Sequence, residues 1–146
     1  MSQSTPDDFS HVEELSHQLL EFYDKINSWE HSVVKGSGLS PAQMHTIEVI
    51  GHQQDMRMKE LAERLGITTG TLTVAVDKLE KKGLVERKPH HSDRRSWLVV
   101  LTPKGQAAFA QHDRFHNDFT KDISEGLSNT EITMFSSLLS KLLVRM

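Results

Sequence analysis

The sequence predicts a mainly α-helical protein carrying one small antiparallel β-hairpin. Three observations predict it. Apolar residues recur at helical spacing through most of the chain, behind recognisable capping residues. The period shifts to that of strands only between Leu84 and Leu101. The length of 146 residues, with no cysteine, fits one domain carrying extra helices at its ends.

Each element has its own signal. Val12, Leu15, Leu19, Phe22, Ile26, Trp29 and Val33 step by three and four, a stripe about six turns long. Ser10 with Glu13 forms a capping box near its start, and Gly36 and Gly38 stop it. Ser40 as cap, Pro41 at the first helical position and Gln43 open a second helix running to about Gly51. A short third helix carries Leu61, Ala62 and Leu65 and ends at Gly66. A fourth begins at Thr68 or Thr69, turns Leu72, Ala75, Val76 and Leu79 inward and ends at Gly83. Leu84–Lys88 pairs with Ser96–Leu101 across a polar tip, Pro89–Arg95. Thr102 and Pro103 restart a helix that reaches Gly126, and Ser128 with Glu131 caps a last one to Met146.

Composition narrows the function. With 36% hydrophobic and 25% charged residues the chain reads as folded and soluble. It is too short for a barrel enzyme of ~250 residues. The lack of cysteine removes disulfides, thiolate metal sites and thiol redox sensing and suits the cytoplasm. Met1–Asp8 is polar and acidic, unlike a signal peptide. The longest apolar run, Trp97–Leu101, is far below the ~20 residues of a membrane span. Charge is uneven: Arg57–Lys104 holds 11 basic and 6 acidic residues in a chain of net charge −3. A basic middle between acidic flanks points to a local contact with a polyanion.

The helices Met58–Leu65 and Thr68–Lys82 meet across Gly66 and Ile67, the joint of a helix-turn-helix, and a basic hairpin follows at once. Together they predict a winged helix-turn-helix. The runs Leu61-Ala62-Glu63-Arg64-Leu65-Gly66, Leu79-Glu80-Lys81-Lys82-Gly83-Leu84-Val85, Asp93-Arg94-Arg95 and Leu101-Thr102-Pro103-Lys104-Gly105 resemble the multiple-antibiotic-resistance regulator (MarR) family over essentially the whole chain. That resemblance implies a homodimeric repressor or activator binding a near-palindromic operator, losing DNA affinity when a small ligand enters between dimer helices and DNA-reading lobe. Residues 40–105 would form the DNA-binding lobe of a single chain, 1–146, with 8–36 and 106–146 as dimerisation helices.

The fourth helix exposes Thr68, Thr69, Gly70, Thr71, Thr73, Val74 and Lys78. Hydroxyls there can bond phosphates or bases, the methyls of Thr73 and Val74 can meet thymine methyls, and Gly70 permits close backbone approach. No Arg, Asn or Gln is present for bidentate base contacts, so readout leans on methyls and DNA shape. At the hairpin tip, the resemblance makes Arg95 the minor-groove reader and Asp93 its brace. Arg94, His90 and His91 are placed for phosphates, as are Lys88 and Lys104.

Nine histidines are many for this length. His112 and His116 share a helix face and can share a metal. The family's zinc-responsive branch has ligands matching His45, His112 and His116, with a glutamate from the first helix. Here that place holds Asn27, with Glu30 one turn on. Met44–Gly51, Gly70-Thr71 and Arg114-Phe115-His116 instead resemble the family's fatty-acid-synthesis repressors, which respond to acyl chains. The expected effector cleft is therefore lined by Trp29, Ile47, Phe109, Phe115 and Phe119 with His45, His112 and His116, and suits an acyl chain or aromatic acid, with zinc as the alternative and no cofactor required. A catalytic reading through zinc and Glu48 lacks a nucleophile set or phosphate loop and leaves the basic wing unexplained. A winged-helix interaction module without DNA binding is the remaining alternative, favoured by the acidic flanks and opposed by Arg95 and Asp93.

Overall fold

The computed structural model describes residues 6–146, with side chains from Ser10 onward; the segment Met1–Asp8 lies outside those side chains. The described elements are α1 (Pro6–Lys35), α2 (Pro41–Gln53), β1 (Met56–Arg57), α3 (Met58–Leu65), α4 (Thr69–Lys81), β2 (Val85–Pro89), β3 (Trp97–Leu101), α5 (Pro103–Ile123) and α6 (Asn129–Leu143). No described helix is long and apolar enough to cross a membrane.

Local chemistry sets most boundaries. The Ser40 hydroxyl accepts from the Gln43 N–H at 3.1 Å while Gln43 Oε1 accepts from the Ser40 N–H at 3.1 Å. Ser128 and Glu131 repeat that exchange at α6, and Thr102 caps α5 ahead of Pro103. Each removes unpaired amides from a helix start. Gly66, at φ 67°, closes α3 in the left-handed region, and its N–H reaches back to Ala62 and Glu63 carbonyls.

Four boundaries depart from expectation. Ser10 and Glu13 lie inside α1, which spans Pro6–Lys35, so they are no capping box. Helix α2 runs on to Gln53 and stops where Gln54 turns to φ 55°. Helix α5 ends at Ile123, before Gly126, and α6 at Leu143, before Met146. The two-residue β1 was not foreseen; it joins the hairpin to give an antiparallel sheet of order β1-β3-β2, pairing Met56 with Val99 as Val85 pairs with Leu101.

The core sits between α2, α3, α4 and this sheet. Ile47, Ile50, Leu61, Leu72, Val76, Leu79 and Val99 are sealed from solvent, and Met56, Leu84, Val85 and Leu101 close round them. Each such side chain stabilises the lobe by about 1.5–3 kcal/mol relative to exposure. Val34, not Val33, is the fully buried residue at the end of α1. Toward its N-terminus α1 is open: Val12, Leu15, Leu19 and Phe22 remain exposed. Helix α6 buries no residue, and Ile132, Phe135, Leu138 and Leu142 all face solvent in the single chain.

Candidate nucleic-acid interface and imidazole cluster

Helix α4 begins on its own threonines. Thr68 Oγ1 accepts the Thr71 N–H at 3.1 Å and donates to Thr71 Oγ1 at 2.9 Å. Thr73 Oγ1 donates to the Thr69 carbonyl at 2.8 Å. The Thr68 hydroxyl is spent on the cap and the Thr73 proton on the helix, while Thr71 keeps its own proton. Val74 is 55% exposed beside them, and nothing crowds Gly70. Thr69 and Lys78 are exposed on the same helix.

A residue the sequence reading passed over fixes the wing to this helix. Arg87 on β2 donates through Nη2 to Asp77 Oδ1 at 2.6 Å and through Nη1 to Glu80 Oε2, and its backbone N–H reaches Glu80 Oε1 at 3.1 Å. Acidic residues at positions three apart on one face of α4 were the available signal; the strand that meets them was not. Two carboxylates on one half-buried guanidinium make this a specific joint.

The tip is braced from within. Asp93 Oδ1 accepts the backbone N–H of Arg95 at 3.0 Å and Oδ2 accepts the Ser96 hydroxyl at 2.9 Å. The brace therefore acts on the backbone of Arg95 and leaves its guanidinium free of ion pairs among the described residues. The Arg95 N–H, and then the Ser96 hydroxyl, hold the Asp93 carboxyl below its ordinary value. The sign follows: the brace is complete at neutral pH and is lost as pH falls through that lowered value. Arg94 and His91 are exposed. Lys88 lies 3.4 Å from Glu86 Oε1. Lys104, exposed, donates through Nζ to the Lys82 carbonyl at 2.9 Å.

The histidines fall differently from expectation. His112, fully buried, and His116 converge on Glu30 from α1 and Glu48 from α2. His112 Nε2 lies 2.6 Å from Glu30 Oε1 and 3.3 Å from Glu48 Oε1. His116 Nε2 lies 3.0 Å from Glu30 Oε2, 3.2 Å from Glu48 Oε1 and 3.1 Å from His112 Nε2. His45 stands outside, 63% exposed, its Nδ1 3.9 Å from Glu48 Oε2. Glu48, one turn on from His45, is the α2 residue that reaches the α5 imidazoles. The edges of a zinc tetrahedron with ~2.0–2.1 Å bonds are about 3.3 Å, close to these separations. Glu30 Oε2 is buried and, with His116 Nε2 at 3.0 Å but out of hydrogen-bond geometry, forms no hydrogen bond; a cation there would satisfy it. The residues present thus fit a divalent metal.

The expected effector cleft is divided. Ile47 belongs to the core. Phe109 covers Gly51, where a Cβ would lie 2.4 Å from the ring. Trp29 stacks on Phe119 at 4.3 Å and meets His116 edge-on at 4.9 Å, closing that side. A cavity of about 610 Å³ opens beyond, with Val33, Met44, Leu84 and Phe115 on its walls, His112 at its back and Lys81, Lys82 and Lys104 at its rim.

A helix-turn-helix followed by a braced basic hairpin defines a winged-helix DNA-binding protein. Residues 39–97 match the MarR family. The chain is 30% identical over 135 residues to the HTH-type transcriptional repressor YetL of Bacillus subtilis, covering 91% of this chain and 81% of that one. It superposes on Streptococcus pneumoniae FabT, solved in complex with DNA, with a TM-score of 0.80 at 30% identity, covering 90% of this chain and 94% of FabT. A MarR family protein from Bacillus stearothermophilus matches 98% of this chain and 99% of its own, with a TM-score of 0.87 at 22% identity. The chain belongs to the MarR family, whose members are transcriptional regulators.

Proposed function

We propose that the protein is a homodimeric repressor that binds a near-palindromic operator through α4 and the wing and releases it when an effector binds. One observation carries the DNA reading: Arg87 ties the wing to α4 while the Asp93 brace leaves the Arg95 guanidinium free. The DNA complex of the similar FabT supports it. Arg95→Ala is expected to lower affinity for a duplex selected from a random pool by about 1–3 kcal/mol without changing the dimer. Anisotropy titrations check this; unchanged affinity would end the groove-insertion role. Binding that ignores salt would favour the interaction-module reading instead. The cavity, apolar within and lysine-rimmed, suits an amphipathic acid such as an acyl chain.

A second reading has its own observation, the orphaned Glu30 oxygen among converging imidazoles. Glu30, Glu48, His112 and His116 would hold zinc, which would link α1, α2 and α5 by charge neutralisation. Zinc must displace protons from imidazole, so affinity is expected to fall as pH drops below ~6.5. Competition with a chromogenic chelator measures it: Glu48→Gln and His112→Ala lose binding while His45→Ala keeps it. Equal losses in all three would reject this donor set.

A further inference from the structure

A histidine side chain organises the wing turn. His90, half-buried, sits where the chain leaves β2, and its N–H donates to the Ser96 carbonyl at 3.0 Å across the hairpin. Its ring turns back into the tip. Nδ1 accepts the backbone N–H of Ser92 at 3.2 Å and of Asp93 at 3.1 Å. This is the bonding of an Asx turn, in which a side-chain acceptor collects the amides two and three residues on, performed by an imidazole. Asp93, placed by that bond, then accepts the Arg95 N–H. Bonds therefore run from His90 through Asp93 to Arg95.

The geometry points to His90 as the positioning residue of the wing: its neutral ring caps the turn that aims Arg95, and protonation of the ring undoes the cap. This rests on the proposed DNA reading for its consequence, though not for the cap itself. Nδ1 meets the two amides and, at 3.2 Å, the Ser92 hydroxyl. With Nδ1 accepting, the neutral ring carries its proton on Nε2, which lies 3.0 Å from Arg57 Nη2 on β1, already donor against donor. Protonating Nδ1 removes the acceptor of both amides and leaves it only the Ser92 hydroxyl oxygen to donate to. Desolvation is the first cause that lowers the ring's pKa; Arg57 and stacked His91 add to it, while Asp93 in the turn and Glu60 on α3 oppose it. The sign is then fixed: turn stability is complete above the ordinary imidazole value and declines as pH falls from there toward the lowered one. A ring that merely contacted phosphate would do the opposite and bind DNA better in acid.

His90→Asn and His90→Ala separate these roles, because an asparagine oxygen can accept the same two amides and a methyl cannot. Full-length variants are titrated with the selected duplex at constant ionic strength, about one unit above and one below pH ~6.5. At the higher pH, His90→Ala binds about tenfold more weakly than wild type and His90→Asn within about twofold, as expected for loss and retention of one cap in each of two wings. At the lower pH, wild type weakens about fivefold relative to His90→Asn, a ratio in which the other histidines cancel. Amide hydrogen exchange at Ser92 and Asp93 reads the cap without DNA: protection is lost in His90→Ala, kept in His90→Asn and acid-labile only in wild type. Exchange equal in all three overturns the proposal, as does a wild type that gains on His90→Asn in acid. Intact exchange behaviour in a protein that binds no duplex leaves the cap standing and removes the DNA reading.

Discussion

A Leu138→Glu chain is expected to sediment as a monomer and to lose at least two orders of magnitude in affinity for a two-half-site duplex. Leu138 is 51% exposed on α6, between Phe135 and Leu142, and α6 buries nothing within its own chain. Val12, Leu15, Leu19 and Phe22 extend the open apolar surface along α1. On the homodimer proposed above these open apolar faces form the subunit interface, and a carboxylate inside it must be desolvated without a partner. Two linked half-sites raise each other's local concentration to about the millimolar range, so separating the lobes forfeits a factor of about 10²–10⁴. The protomer core lies elsewhere, so circular dichroism should stay helical. Sedimentation velocity and anisotropy check both halves; a dimer that persists at micromolar concentration with full DNA binding contradicts the interface.

Gly105→Ala is expected to be the most damaging single methyl in the chain. A Cβ at residue 105 would stand 2.0 Å from the Leu84 carbonyl oxygen and 3.3 Å from the Leu101 side chain. The oxygen cannot swing away, because it accepts the Thr102 N–H at 3.1 Å, the bond that fastens α5 to the start of the wing. Backbone must move, at about 3 kcal/mol or more, which lowers the melting temperature by roughly 10 °C in a chain of this size. Gly66→Ala is the control: its φ of 67° strains alanine but no atom lies near, so about 1 kcal/mol is lost. Equal melting of the two variants would mean that α5 can shift off the wing freely.

What the sequence made legible was local. Ser40-Pro41-Gln43, Thr102-Pro103 and Ser128-Glu131 mark real helix starts because a cap needs only residues within one turn. Ser10 and Glu13 have the same letters in mid-helix, where the same types simply face water. Strand β1 escaped because two residues carry no period; its pairing with β3 is a tertiary event. In the site, Asp93 and Arg95 were singled out by the family resemblance, and the bond between them spans only two residues. Glu48 against His45, and Trp29 with Phe119 against an open cleft, depend on how α1, α2 and α5 rotate about their axes as they pack. A shift of one residue turns a helix face by ~100°, and periodicity alone does not fix it.

The cavity rim and the reading helix share one pin. Lys82, just past the end of α4, donates to the Gly38 carbonyl at 3.3 Å and to Gln43 Oε1 at 3.0 Å, while its own carbonyl is held by Lys104. Helix α4 has 13 residues, so at ~1.5 Å per residue it is a lever arm of about 20 Å. Prising the α1–α2 turn from α5 at the rim turns that arm at its short end. A tilt of ~10° there swings the Thr68 tip by about 3 Å, the length of a hydrogen bond, which carries a methyl out of touch with a base edge. On the effector control proposed above, that leverage would let a small occupant, working far from the duplex, loosen the protein's grip on it.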